Sequence, residues 1–480
     1  MSHSKAFVIF KNSGTLGIST FVGKIFYLLL FIIIGRYLGP SDLGKFSFAM
    51  SFAAIFFLVN DLGIRILAVR EVSQDKNMTG KYLGNLVLLK LFLAALAFIG
   101  VFSVINLMGY PKETVTIVTL IALASLLIHF STSFRWIFQA YQKLEYESLV
   151  GFIQDLGNLI LGCLALILNI GILGIGYSQI AVGILIVLLS WFIVDRKFHR
   201  VKIEMDLTFC KDLLKESVPF ALMLVFATLY LNADTVLLSF FKGDHSVGLY
   251  NAANRLALAL RMVPAVFISA FFPIVSELSK VSKVELNTFL EKSLAFMISL
   301  ALPLSLGTTL LSKKIILFFY GQKFASSYSV LQIAIWGTFC MFLSVVLGYT
   351  LISLGKQKIY TQITGLGLGV NLVINFSLIP KLAQVGSSLA IFGTEFFVLG
   401  AVSYSIVKLL DFKIKALLPS ILKIIAASLI MMGVLYVTEN FHVLFCVGLG
   451  GISYFAALFS FKGIYGYNLY RVKDLILARL

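Results

Sequence analysis

Long apolar runs recur along the whole chain, and this feature limits the possible folds more than any other. About fourteen runs have the roughly twenty residues that a helix needs to cross the ~30 Å hydrocarbon core of a bilayer. Of the 480 residues, 59% are hydrophobic and only 13% are charged, and the mean hydropathy is +0.98. The runs are continuous and do not alternate, which excludes a transmembrane β-barrel. The predicted fold class is therefore an all-α polytopic membrane protein.

The predicted spans follow one another through short connections, so a large extramembrane catalytic domain is not expected. The spans lie near residues 14–38, 42–66, 82–107, 114–138, 147–169, 173–194, 213–240, 246–274, 286–311, 327–354, 359–380, 385–409, 416–438 and 441–461. The first run has the length of a full span, unlike the short apolar core of a cleaved signal peptide.

Basic residues are distributed unevenly between the loops. The net charge is +17, and most of the 39 lysines and arginines fall in cytoplasmic segments if both termini are placed in the cytoplasm. We therefore predict a multi-pass protein of the cell membrane with both termini cytoplasmic. In a chain this apolar, the positive charge indicates contact with anionic lipid headgroups, and no nucleic-acid partner is expected.

Three short motifs of the first half return in the same order in the second half. The pairs are Tyr37–Ala49 with Phe241–Ala253, Phe138–Tyr146 with Ile352–Tyr360, and Leu173–Ala181 with Ala383–Ile391. The order predicts two six-helix lobes, spans 1–6 and 7–12, plus two C-terminal helices. Because six is even, both copies enter the membrane from the same side, so the pseudo-twofold axis is parallel to the membrane normal.

The repeat also predicts the domain boundaries. Residues 1–195 form an N-lobe of spans 1–6, and residues 196–411 form a C-lobe with a charged cytoplasmic linker and spans 7–12. Residues 412–480 hold spans 13 and 14 and a basic cytoplasmic tail. In transporters with parallel repeats, the substrate path runs between the lobes.

The segment Val247–Pro273 is predicted to form a single transmembrane helix with one polar face. Asn251, Asn254, Arg255 and Arg261 fall within an arc of roughly 120° on that helix. An arginine near the bilayer centre costs about 2.5–3.5 kcal/mol on insertion scales, so two on one helix require a reason. Two interpretations fit: either they pair with acids on neighbouring helices, or they line a water-filled cavity that accepts an anion.

Span 1 carries a second polar stripe. Ser13, Gly17, Thr20 and Lys24 follow one another at helical spacing. Small residues beneath a lysine either allow close helix packing or keep a cavity open. Lys24 lies about ten residues from either end of the span, too deep for easy snorkelling. We favour the cavity, with Lys24 as a substrate-binding residue together with Arg255, Arg261, Asn251 and Asn254.

Four charged residues in spans 2, 3 and 5 are predicted to form gating or structural ion pairs. Asp61 and Arg65 are four residues apart on span 2, the spacing of an intrahelical pair. Lys90 lies about two turns inside span 3, and Asp155 on span 5 is the expected acid for it.

Two further acids lie inside spans. Asp234 in span 7 is expected to orient Arg255 at a similar depth. Glu395 in span 12 has no obvious cation nearby, so it is a candidate proton-binding residue for energy coupling, with a structural role as the alternative. Arg135 and Trp136, at the end of span 4, are interpreted as an interfacial anchor.

Motifs for catalysis, nucleotide binding and metal binding are weak or missing. Gly17–Ile25 departs from a phosphate-binding loop at the first glycine and at the final Ser or Thr position. The four cysteines have no paired spacing, so neither a disulfide framework nor a metal site is expected. We predict a protein that is not an enzyme and that has no cofactor.

The chain resembles the O-antigen type oligosaccharide flippases of the multidrug/oligosaccharidyl-lipid/polysaccharide (MOP) exporter superfamily. The motifs that carry the resemblance are Asn12–Phe26, Gly35–Ala49, Asn60–Ser73, Phe138–Tyr146 and Val247–Leu278. The resemblance implies a 12-plus-2 helix fold and translocation of polyprenyl-diphosphate-linked oligosaccharide from the inner to the outer leaflet. It also implies a cationic central cavity, alternating access, and contact with membrane lipids and glycan-assembly enzymes.

Three alternatives remain. A drug or cation antiporter of the same superfamily would favour an acidic cavity, which the buried cations oppose. A peptidoglycan lipid-precursor flippase shares the same diphosphate chemistry. A membrane glycosyltransferase or polymerase would need a carboxylate pair on a sizeable outer loop, and the longest predicted outer segment, near Ser312–Ser326, carries lysines and no acid.

Overall fold

The computed structural model describes residues 3–202 and 204–461, apart from the side chains of residues 3–16, 18, 219, 220, 222 and 223. Every regular element in these residues is helical. The α-helices are α1 (His3–Leu38), α2 (Pro40–Asp61), α3 (Ile64–Gln74), α4 (Thr79–Leu107), α5 (Lys112–Ala140), α6 (Leu144–Ile167), α7 (Gly171–Lys197), α8 (Leu207–Ala259), α9 (Met262–Val281), α10 (Lys283–Tyr320), α11 (Ser327–Ser353), α12 (Gln357–Leu382), α13 (Gln384–Leu410), α14 (Leu418–Val437) and α15 (Val443–Ser460). Three short 3₁₀ turns lie at Lys76–Met78, Gln322–Phe324 and Ile414–Leu417.

Thirteen helical segments of the described chain are long and apolar enough to cross a membrane. One of them, Leu224–Val281, has 58 residues and would be ~87 Å long as a straight helix, about twice what one crossing needs. It bends at Gly243 and therefore accounts for two of the fourteen predicted spans. The all-α membrane fold is confirmed.

Contacts divide the chain into two compact units, Met1–Ala252 and Ala253–Leu480. The first unit is organised around a buried cluster on α4, α5 and α7 that includes Trp136. The second has a cluster on α9, α10, α11 and α13, and a smaller one where α14 and α15 pack against α10. In lipid, such helices associate through close packing and interhelical hydrogen bonds, since the surrounding chains are equally apolar.

Helix packing within the units follows the predicted repeat. In the first unit α4 packs on α5, α5 on α7, and α6 on α7. In the second unit the helices at the equivalent positions pack in the same way: α10 on α11, α11 on α13, and α12 on α13. The internal repeat is confirmed at this level, whereas the domain boundaries at residues 195 and 411 remain a prediction.

The paired glycines of the first motif share an unusual backbone conformation. Gly39 has φ 91° and ψ −175°, and Gly243 has φ 73° and ψ −178°. Residues with a side chain rarely adopt this region, so glycine is required at both positions. The two copies therefore use the same residue for the same sharp bend, which lies between α1 and α2 in the first copy and within α8 in the second.

The second glycine pair of this motif allows two helices to approach closely. A Cβ on Gly44 would overlap the backbone carbonyl of Asp244, and a Cβ on Gly248 would overlap the carbonyl of Pro40. Because Pro40 and Asp244 are also equivalent in the repeat, the contact is reciprocal, as expected for elements related by a pseudo-twofold axis.

Spans 2 and 8 are broken helices. α2 ends at Asp61, and the chain passes through Leu62 (φ 35°) and Gly63 (φ 79°) before α3 begins. α8 ends at Ala259, and α9 begins at Met262. In both spans, a charged residue lies at the break.

The prediction of one continuous helix over Val247–Pro273 is wrong. Pro264 lies four residues after Leu260, so it offers no N–H to the Leu260 carbonyl, and its ring would clash with that carbonyl in a regular helix. The chain instead makes a tight turn in which the Arg261 amide bonds to the Leu258 carbonyl at 3.0 Å. The break places Arg261 at the N-cap position of α9.

Candidate functional site

Arg261 and Glu395 form an ion pair inside the second unit. Arg261 Nη2 lies 3.5 Å from Glu395 Oε1, and the two side chains are 19% and 5% exposed. Glu395 lies in the middle of α13 and faces the break in span 8. The expectation that Glu395 has no cation nearby is therefore wrong, because the turn at Leu260 positions Arg261 beside it.

The Arg261 guanidinium retains unused donors. Within the described structure, its Nε–H is buried and has no hydrogen-bond acceptor within reach. The contact with Glu395 is longer than the 2.7–2.9 Å of a charge-assisted hydrogen bond. A guanidinium carries five N–H donors in a fork that matches carboxylate or phosphate oxygens. This side chain is thus only loosely paired and is chemically suited to an anion.

The other predicted polar residues of span 8 have separate environments. Asn251, in the first unit, donates to Thr235 Oγ1 at 3.2 Å and to the Val247 carbonyl at 3.1 Å, so its amide stabilises α8. Asn254 is 9% exposed, and Arg255 is half-buried, both in the second unit. Substrate binding by these residues remains a prediction.

Lys90 and Asp61 form the centre of a polar network in the first unit. Lys90 Nζ donates to Asp61 Oδ1 and to Thr132 Oγ1, both at 3.0 Å, and the lysine side chain is fully buried. The Asn60 side-chain amide donates to the Lys90 carbonyl at 2.7 Å. The network ties α2, α4 and α5 together at the break in span 2.

Two predicted partners in this region are corrected. Lys90 pairs with Asp61 and not with Asp155, because it lies beside the C-terminal end of α2. Asp61 and Arg65 do not form the expected intrahelical ion pair. The helix is interrupted at Leu62 and Gly63 between them, so the two side chains are not on one helical face.

Lys24 lines a polar cavity of about 380 Å³ between α1, α5 and α6 in the first unit. Thr20 lines the same cavity, as the stripe on span 1 predicts, and the Lys24 side chain is exposed. Gly17 is also exposed, whereas the side chain of Ser13 lies outside the described residues. The interpretation of a cavity beside span 1 is supported, and its substrate remains a prediction.

The opposite wall of this cavity carries an ion pair that the sequence analysis missed. Arg135 donates from Nη2 and Nε to Glu147 at 2.7 and 3.2 Å, and from Nη1 to Gln154 Oε1 at 3.3 Å. Trp136 is fully buried, so the interpretation of the two residues as an interfacial anchor is wrong. Opposite charges on two spans joined by a short turn were the available signal.

Asp155 faces the same cavity. Its carboxylate lies against Gly23 of α1, where a Cβ would overlap Oδ2. Asp155, Tyr27 and Gln154 also line an adjoining cavity of about 220 Å³.

Asp234 is buried and accepts a hydrogen bond from the Tyr250 hydroxyl at 3.1 Å. Its predicted interaction with Arg255 remains a prediction. No cluster of three or more metal-ligating side chains occurs within residues 3–202 and 204–461.

The fold and these sites define a multi-pass membrane transporter. The family profile described as "Polysaccharide biosynthesis protein" matches residues 9–279, more than half of the chain, so the protein belongs to this family. A second profile, MatE, matches residues 219–377. The recognition of a MOP-superfamily polysaccharide flippase from sequence motifs is confirmed.

Two relatives match over most of their length. The capsular polysaccharide biosynthesis protein CapF of Staphylococcus aureus is 24% identical, with 81% of this chain and 97% of that protein covered. A putative O-antigen transporter of Shigella dysenteriae is 25% identical, with 77% and 96% covered. These similarities support a polysaccharide transporter of the cell membrane.

Two solved structures share the fold. The lipid II flippase MurJ in an inward closed conformation has a TM-score of 0.77 at 20% identity, with 93% of this chain and 98% of that chain covered. An inward-facing multidrug resistance MATE transporter has a TM-score of 0.63 at 14% identity, with 80% and 94% covered. At these identities the similarity concerns the fold.

Proposed function

We propose that the protein moves a polyprenyl-diphosphate-linked oligosaccharide from the inner to the outer leaflet by alternating access. The head of such a lipid combines a compact dianion with a hydroxyl-rich sugar. Its transfer through lipid is prohibitive, because each polar group would lose its hydrogen bonds to water without replacement. A polar path bordered by fixed cations supplies replacement partners.

The observation that carries this proposal is the environment of Arg261. Its guanidinium is largely buried, has a buried Nε–H without an acceptor in the described chain, and is held by Glu395 only at 3.5 Å. Two oxygens of one phosphate group can accept hydrogen bonds from the free N–H groups of the Arg261 guanidinium in a bidentate geometry. Lys24, Arg255, Asn251 and Asn254 are proposed to complete the binding of the head, and Glu395 is proposed to couple transport to protonation.

Several parts of the proposal concern the surroundings of the protein. Both termini are placed in the cytoplasm, in agreement with the distribution of basic residues. Membrane lipids contact the protein directly. Glycan-assembly enzymes are proposed partners, because they would produce the lipid-linked substrate on the cytoplasmic side.

A peptidoglycan lipid-precursor flippase is a second candidate. It is favoured by the TM-score of 0.77 with the lipid II flippase. Both candidate substrates contain a diphosphate, so Arg261 does not distinguish them. An antiporter for organic cations is less compatible with Arg261, because a guanidinium offers only N–H donors and no acceptor to a cationic substrate. An enzymatic role is not proposed.

The experiment is a flipping assay in proteoliposomes. We expect Arg261→Ala to reduce flipping of a polyprenyl-diphosphate-linked oligosaccharide by about 100-fold, because a bidentate contact with a charged group is lost. Arg261→Lys retains the charge without the fork and should be intermediate. Arg200→Ala, an exposed residue of the linker, is the control.

Wild-type flipping rates in Arg261→Ala would contradict the proposal. The same assay with a polyprenyl-diphosphate lipid of the same length that carries a muramyl peptide distinguishes the oligosaccharide flippase from the precursor flippase. Faster flipping of this lipid than of the oligosaccharide lipid would favour the precursor flippase.

A further inference from the structure

The cavity between α1, α5 and α6 offers hydrogen-bond acceptors in addition to the Lys24 cation. With about 380 Å³, and with the adjoining 220 Å³ cavity, it falls in the range of roughly 300–1,000 Å³ typical of small-molecule sites. Both cavities lie within the first unit. Their lining combines apolar surface with the carboxylates of Glu147 and Asp155 and the amides of Gln154, Asn158 and Gln179. A purely apolar lipid tail would leave these polar groups without partners.

One of the two cations in this lining, Arg135, is neutralised by a neighbouring acid. Arg135 is held by both carboxylate oxygens of Glu147 and by Gln154 Oε1. Because Gln154 accepts through its oxygen, its NH₂ group remains oriented as a donor. The formal charges of Glu147 and Asp155 balance those of Lys24 and Arg135 in the lining, so the part of the wall beside Asp155 suits a neutral ligand.

In contrast, some hydrogen-bond acceptors of the cavity wall have no donor in the described structure. Among the described residues, no donor forms a hydrogen bond with the Asp155 carboxylate. Asn158, three residues further along the same face of α6, has a buried Oδ1 without a hydrogen-bond partner and lines the adjoining cavity. Gln179 of α7 is 5% exposed and lines that cavity as well. A carboxylate and an amide oxygen in the membrane interior therefore await donors.

We infer that the cavity beside Asp155 and Asn158 binds the sugar unit attached to the lipid diphosphate, through the hydroxyl groups of a neutral pyranose. A sugar supplies several O–H donors without charge, and the Asp155 carboxylate accepts two of them from neighbouring hydroxyls. Tyr27 offers an aromatic ring in the same wall. Lys24 lines this cavity too, so a phosphate near Lys24 would bring the first sugar to Asp155. The inference rests on the proposed function.

The consequence is selectivity for the head group. A site that provides hydrogen-bond acceptors for hydroxyl groups discriminates strongly against a ligand without them, because the buried acceptors then stay unpaired. Contacts with the diphosphate would bind any polyprenyl diphosphate. Contacts in this cavity would distinguish a polyprenyl diphosphate that carries a sugar (loaded) from one that does not (empty). An empty carrier would be transported poorly.

The test uses purified protein in nanodiscs and equilibrium binding of bare polyprenyl diphosphate and of the same lipid with one glucose, galactose or N-acetylglucosamine residue. We expect the wild type to prefer at least one sugar-bearing lipid by about tenfold or more. Asp155→Asn should remove this preference and leave the affinity for the bare lipid within about twofold. Glu145→Gln, on the same helix but in an exposed pair with Lys143, is the matched control.

Gly23→Ala provides an independent variant if Asp155→Asn does not fold. Its methyl group would displace the Asp155 carboxylate without changing any charge, and it should lower the preference in the same direction. Equal wild-type affinity for bare and loaded lipids would overturn the inference and leave the proposed function intact. Absence of binding to all four lipids would reject both.

A third result would also overturn the inference. If Asp155→Asn weakens the binding of bare and loaded lipids equally, and removes a sodium or proton dependence common to both, the carboxylate binds a cation and not the sugar.

Discussion

Spans 2 and 8 are both broken helices with a charged residue at the break, but the two charges have different surroundings. Asp61 of span 2 is bonded to a lysine that is fully buried and shared with Thr132. Arg261 of span 8 has a single acid at 3.5 Å and a buried Nε–H without a partner in the described structure. The charge of Lys90 is closely paired, whereas the guanidinium of Arg261 retains a free donor within the described chain.

The helix ends do not explain this difference. Asp61 lies between the C-terminal end of α2 and the N-terminal end of α3, and Arg261 lies between the C-terminal end of α8 and the N-terminal end of α9. At each break, one helix dipole favours the charge and the other disfavours it. The difference therefore lies in the side-chain contacts.

A buried charge therefore indicates a binding function only where some of its hydrogen-bond donors or acceptors have no partner. Lys90 and Arg261 both lie within spans, and insertion scales assign both a high cost. Only the arginine retains donors for a substrate. The lysine pairs with Asp61 at 3.0 Å, and whether this pair is structural or takes part in gating remains a prediction.

The largest effect on stability is expected for Lys90→Ala. Removal of one partner from a buried pair leaves an uncompensated charge, which costs about 3–5 kcal/mol of unfolding free energy. The measurement is unfolding of the purified protein by SDS titration. Lys90→Met combined with Asp61→Asn should recover most of the loss. A Lys90→Ala variant as stable as the wild type would show that the pair with Asp61 does not stabilise the fold.

A smaller effect on stability and a clear effect on transport are expected for Glu395→Gln. The amide keeps the shape of the side chain and removes the charge that holds Arg261 at 3.5 Å, so the stability loss should stay within about 1–2 kcal/mol. Transport should fall, and its dependence on pH should flatten if Glu395 carries the coupling proton. The measurement is the flipping rate as a function of pH. An unchanged profile would remove Glu395 from the coupling mechanism.

The smallest effect on stability is expected for Asp411→Asn. Its ion pair with Lys283 is the exposed reference for the Lys90–Asp61 and Arg261–Glu395 pairs. Lys283 lies 2.6 Å from Asp411, and its hydrogen bond holds the pKa of this carboxyl below the ordinary value of 3.8. A lowered pKa stabilises the fold above the unfolded pKa, and this contribution disappears as pH falls through the folded pKa. Both side chains are exposed, so the variant should unfold at nearly the same SDS fraction as the wild type at neutral pH. If Asp411→Asn lost as much unfolding free energy as Lys90→Ala, the stability contribution of an ion pair would depend more on the N–O distance than on burial.

The number of spans and the internal repeat were predictable from local patterns. Gly39 and Gly243 recur within similar motifs, and both adopt the same backbone conformation. The pairing of charges was less predictable. Asp61 and Arg65 have the spacing of a helical pair, but the turn at Gly63 separates them, and the actual partner Lys90 comes from another helix.

The break in span 8 was predictable in principle from Pro264, but the apolar run and the polar face suggested a continuous helix. The partnership of Arg261 with Glu395, and that of Arg135 with Glu147, joins residues on different helices. For Arg135 and Glu147, the short turn between their helices was a signal, whereas nothing along the chain indicates that α13 turns Glu395 towards Arg261.

By itself, the amino-acid sequence determined that this protein is a helical membrane protein with two similar halves and cations inside its spans. The reason is that a backbone in lipid must form its hydrogen bonds within each helix, so apolar runs dictate the spans locally. Only the tertiary structure decided which cations are compensated and which retain donors. Pairing depends on distances of a few ångströms between helices that are far apart in the chain, and close packing alone sets these distances.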